Sequence, residues 1–140
     1  MGIVLLGGCG RSVAVAPPTP GPDPSASTLC AAFVTALPDS LGTVGDRRVV
    51  DPPSDLTAAY GDPPVAIRCG VPTPAALTPT ADLVTVDGID WLPEELTAGW
   101  LMTTVGRTAN VEITVPQAQG PAPSVAADLA PAIGATIPAS

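Results

Sequence analysis

Four carboxylates lie close together at Asp87, Asp90, Glu94 and Glu95. Such a group can hold a hard cation such as calcium through oxygen ligands, or supply the acid and base of glycoside hydrolysis. The spacing matches no calcium loop. The plainer reading is stronger: Asp87 serves a turn, and Glu94 and Glu95 follow Pro93 at the positive start of a helical turn. Trp91 and Trp100 can stack on a sugar ring or a peptide. In a chain with only 3% aromatics they are expected in the core or packed at the sheet edge. Arg68 and Arg107 can grip a carboxylate or a phosphate, against the commoner role of surface ion pairs. Asp90, Trp91 and Arg107 are the candidate binding set, and a pocket joining them would favour an enzyme.

Missing residue types narrow the chemistry further. The chain has no histidine, and its five basic residues are all arginine. Without histidine there is no usual general base near neutral pH and no Ser/His or Cys/His pair. Without lysine there is no Schiff base. Carboxylate chemistry remains, or no catalysis. No catalytic, metal or cofactor residue is assigned. Thirteen acids against five arginines give a net charge of −8. That balance excludes a phosphate-neutralising patch for nucleic acid and simple attraction to anionic lipid.

Two cysteines must be positioned by different elements. Cys30, Val34 and Leu37 recur at helical spacing beside Phe33, which puts Cys30 on the buried stripe of a helix. Val65, Ile67, Cys69 and Val71 alternate on one face of a strand. If that helix packs on that sheet, the two sulfurs meet. A Cys30–Cys69 disulfide is favoured over free thiols, which would be the default in a cytosolic chain.

The third cysteine suggests another role. Leu6-Gly7-Gly8-Cys9 resembles a bacterial lipobox, in which Cys9 becomes the lipidated N-terminus. No basic residue precedes it and the apolar run Ile3–Leu6 is short for a signal peptide. The reading therefore expects the true start upstream, with residues 1–11 a truncated signal segment. The alternative is a short apolar terminus with a chance cysteine. Residues 12–28, dense in proline, read as an extended, semi-rigid linker that would hold the domain off a membrane.

Residues 29–140 form the expected domain, with Ser27 or Thr28 capping the first helix and Pro38 ending it. Arg47–Val50 reads as a short edge strand. Ser54–Gly61 reads as one or two helical turns. Leu83–Leu92 is a hairpin about Asp87-Gly88, a pair suited to a type I′ turn. Trp100–Val105 and Asn110–Val115 form a second hairpin. Val125, Leu129 and Ile133 stripe a last helix, which Pro131 should kink or break. Hairpins imply a mostly antiparallel sheet, and two amphipathic helices need one face to cover. The expected fold is an α+β two-layer sandwich with both helices on one face.

The pieces Cys30 with Leu37-Pro38, Tyr60-Gly61-Asp62-Pro63-Pro64, Arg68-Cys69-Gly70-Val71, Val86-Asp87-Gly88-Ile89-Asp90-Trp91 and Gly106-Arg107 span most of this domain. Together they resemble a family of small exported actinobacterial proteins, often lipoproteins, of unassigned function. The resemblance implies export and supports the Cys30–Cys69 pair. It brings no reaction, substrate or catalytic residue. The functional expectation is an uncharacterised envelope protein: a lipid-tethered, non-catalytic domain at the outer face of the cell membrane, or secreted. Its partner would be an envelope protein or a cell-wall component, and it would meet the membrane only through the N-terminal lipid. The alternative is a carboxylate-dependent hydrolase acting on a cell-wall component.

Overall fold

The structure is a computed structural model that describes residues 11–140; Cys9 and the rest of the lipobox lie outside the described residues. The strands are β1 (Val13–Ala14), β2 (Ser40–Leu41), β3 (Gly45–Arg48), β4 (Val50–Asp51), β5 (Thr57–Tyr60), β6 (Val65–Cys69), β7 (Val84–Val86), β8 (Ile89–Leu96), β9 (Gly99–Val105) and β10 (Val111–Pro116). The helices are α1 (Pro24–Ala36) and α2 (Ala122–Thr136). Eight strands form one sheet in the order β2-β3-β5-β6-β10-β9-β8-β7, with every neighbour antiparallel.

The hairpins follow from local chemistry. Asp87 and Gly88 both take positive φ, 50° and 82°, as a type I′ turn requires. Asp tolerates that region through its short polar side chain, and Gly has no Cβ to clash. On β10, Val111, Ile113 and Val115 are buried while Glu112 and Thr114 are half-buried, the alternation expected of a strand with one face in the core.

One apolar cluster unites Cys30 and Phe33 of α1, Val125, Leu129 and Ile133 of α2, and Tyr60, Ile67, Trp91, Met102 and Ile113 of the sheet. The molecule is thus a mostly antiparallel sheet with two helices sharing its core. The Tyr60 hydroxyl donates to the Pro38 carbonyl at 2.5 Å, tying β5 to the end of α1.

The segment expected as a linker is instead docked. Val13 donates to the Val49 carbonyl at 2.8 Å and Val15 to that of Asp51 at 3.2 Å, so β1 runs parallel to β4. Val13 and Val15 bury themselves with Ala59, against the partly buried Val50 and Ala66. Ala59 and Ala66 lie opposite each other on the face of β5 and β6 turned away from the main cluster. Two small side chains there leave a shallow bed that two valines fill, and this apolar burial holds the segment against the sheet. The first helix accordingly starts early. Asp23, not Ser27 or Thr28, is its N-cap: its carboxylate accepts from the Ala26 amide at 2.8 Å, and Pro24 takes the first helical position.

Four further expectations give way. Thr57–Tyr60 is a strand, not a helical turn; all four residues are buried between β3 and β6, and sheet pairing overrides a short helical signal. Pro93–Leu96 continues β8 and does not open a helical turn, because β9 pairs along its whole length. Pro131 lies inside α2, which continues unbroken past it, on the exposed side of the helix. The Arg47-Arg48 strand is flanked by β2 and β5 and so is not an edge.

Candidate functional site

The core-facing side of β8, β9 and β10 is not fully covered by α2, which begins only at Ala122. A cleft of about 440 Å³ opens there. Met102, only 1% exposed, belongs to both the cleft and the core. Pro93, Pro116, Pro121 and Pro123 line it, and Trp100 stands in it with 42% of its surface exposed. Gly99 makes this possible. It lies so close to β10 that a Cβ would run into the Val115 carbonyl oxygen. The bare backbone lets the β8–β9 end fold down and present Trp100. Gln117 supplies a polar side chain, and none of the lining residues is charged. Such a lining can hold a neutral apolar group and cannot move a proton.

The candidate set Asp90, Trp91 and Arg107 is not brought into one pocket. Asp90 and Trp91 are successive residues on β8, so their side chains take opposite faces. Trp91 is fully buried in the core with its Nε1 unpartnered. The Asp90 carboxylate accepts from the Thr85 hydroxyl at 2.6 Å on the exposed side of the β7–β8 hairpin. Arg107 donates through Nε and Nη2 to the Ile137 carbonyl at 3.1 and 2.7 Å. Ile137 is the C-cap of α2, so Arg107 places its charge on the negative end of that helix.

Arg68 forms an ion pair with Glu112 at 3.0 Å, the role expected of it in preference to anion binding. Among the described residues no three His, Cys, Asp or Glu side chains gather as a metal site, and no helix is long and apolar enough to cross a membrane. Burial raises the Tyr60 phenol above its ordinary pKa; the charge of Arg47 opposes this and that of Asp39 adds to it.

The cysteines meet as their faces require. Cys30 and Cys69 form a disulfide with α-carbons 5.5 Å apart, both fully buried. Trp100, expected in the core or packed at the sheet edge, stands in the cleft with much of its surface exposed. The local signal for this placement is the preceding Gly99, whose missing Cβ permits the close approach to β10.

The molecule is thus a small disulfide-clipped α+β domain with an uncharged apolar cleft. The chain belongs to the DUF3515 family, described as a protein of unknown function, which it matches over residues 6–140. No curated protein and no solved structure matches it.

Proposed function

We propose that this chain is an exported envelope domain that binds and does not catalyse, and that its ligand is a neutral apolar group seated beside Trp100. The observation carrying this reading is the cleft: apolar, uncharged, and fronted by a half-exposed tryptophan. Its volume falls in the range of small-molecule sites. No carboxylate lines it, so the cell-wall hydrolase alternative finds no acid or base there.

Export is supported by the Cys30–Cys69 disulfide, since such bonds persist in oxidising compartments. Lipid on Cys9 would make the domain a membrane-tethered one. The shared core of α1 and α2 supports the finer architectural reading, in which both helices form one layer over one face of the sheet.

The experiment is a titration with the neutral fluorescent probe N-phenyl-1-naphthylamine. Trp91 is fully buried, so acrylamide-sensitive emission comes from Trp100. The probe should bind saturably, quench that emission and protect it from acrylamide, and Trp100→Ala should abolish binding. Equal uptake by Trp100→Ala would overturn the assignment of the cleft.

A further inference from the structure

On the face of the sheet turned away from the main core, one row of side chains crosses four neighbouring strands. Register sets Thr57 opposite Arg68, Arg68 opposite Glu112, and Glu112 opposite Thr103. Directly opposed residues in antiparallel pairs project on the same side. The row therefore alternates with Ile67, Ile113 and Met102 of the core.

The row is polar, largely buried and incomplete. Arg68 and Glu112 pair at 3.0 Å. Thr57 and Thr103 are each 1% exposed, and their hydroxyls have no hydrogen-bond partner. The Arg68 Nε–H is likewise buried and unpartnered. Groups of this kind are nearly always satisfied in folded proteins, so the Thr103 hydroxyl and the Arg68 Nε–H, whose residues border open space that Thr57 does not reach, call for an occupant there.

A cavity of about 370 Å³ lies over this row. Arg68, Thr103, Glu112 and Glu94 contribute its polar lining. Thr19 of the docked N-terminal segment also lines it, as do Pro72 and Pro74 from the loop after β6. One guanidinium against two carboxylates disfavours an anion. The Arg68–Glu112 pair offers a donor and an acceptor side by side, and the Thr103 hydroxyl can serve as either. Hydroxyl groups on adjacent carbons match that pattern, since each donates and accepts at once. The proline rings offer apolar surface for the C–H side of a ring.

We infer that this cavity is a second binding site, for a neutral saccharide, held by Arg68, Glu112, Glu94 and Thr103. It goes beyond the apolar cleft, because Trp100 and Thr103 project from opposite faces of β9.

The test is an NMR titration of the folded, oxidised protein with maltotriose, following backbone amides and the Arg68 Nε–H resonance. Saturable shifts at Arg68 Nε–H and Thr103 are expected. Thr103→Val keeps the shape and removes one hydroxyl; it should weaken binding about tenfold, the loss of one hydrogen bond. Thr57→Val lies outside the cavity lining and should leave the affinity unchanged. Three results would each overturn the inference: no saturable shift, equal shifts in Thr103→Val, or the same response to inorganic phosphate. None of them bears on probe binding at Trp100, so the two proposals fail separately.

Discussion

Cys30 and Cys69 are joined across 39 positions of chain, one from a helix and one from a strand near the middle of the eight-stranded sheet. In the loop-entropy account a bridge of this span stabilises by roughly 4 kcal/mol, reduced by any native strain. A small domain has only about 5–15 kcal/mol in total. Cys30→Ser and Cys69→Ser should each lower the melting temperature by many degrees, and the double variant should cost little more, since one bond is lost in all three. Thermal melts with and without reductant measure this. Peptide mapping of protein recovered from its native cells that finds two alkylatable thiols at 30 and 69 would refute it.

Tyr60 should govern stability in alkali. It is the sole tyrosine, and the chain has no lysine to titrate beside it. Its folded pKa is raised by burial, so the unfolded chain releases the proton first, near pH 10. The contribution is therefore whole below about pH 10 and is lost as pH rises through that value towards the folded pKa. Tyr60→Phe should flatten this fall while costing about 0.5–1.5 kcal/mol at neutral pH for the bond to Pro38. Urea midpoints from pH 8 to 11 give both numbers.

Arg107 is expected to act as a cap for α2. Arg107→Ala removes two charge-assisted bonds to Ile137 and should destabilise by about 1–2 kcal/mol. Chemical denaturation reads the loss, and hydrogen exchange should place it at the last turn of α2. An unchanged midpoint would exclude the capping role.

Gly70 lets Pro22 of the N-terminal segment pack close against its backbone. Its φ is +92°, and a Cβ there would lie 2.6 Å from Cγ of Pro22. Gly70→Ala should cost more than about 1 kcal/mol, the backbone penalty at positive φ. It should also loosen β1, so the Val13 and Val15 amides should exchange faster. Unchanged exchange there would mean that the Pro22 contact does not hold β1.

The sequence carried its hairpins, and with them a mostly antiparallel sheet, in the period-2 strands and in Asp87-Gly88, whose conformational demands are local. It carried the disulfide because Cys30 and Cys69 each sit in phase with apolar neighbours. It did not carry the docking of Val13 and Val15, because their partners are two alanines, Ala59 and Ala66, whose smallness signals nothing until they are opposed across β5 and β6. The residues Asp90, Trp91 and Arg107 are kept apart for a related reason. Asp90 and Trp91 are adjacent in the chain, and adjacency on a strand separates side chains. The polar row of Thr57, Arg68, Glu112 and Thr103 is likewise invisible without register.

Pro93, Glu94 and Glu95 read as the opening of a helix and proved to be strand. β7 pairs only with Ile89, Asp90 and Trp91, so beyond that point β8 is the outermost described strand of the sheet. A bare strand border recruits strands from other molecules. Here the border holds a proline, which has no N–H to offer, and two adjacent negative charges. At the opposite end the sheet stops in β2, two residues long. The molecule is therefore guarded at both ends against growing by strand addition into larger aggregates.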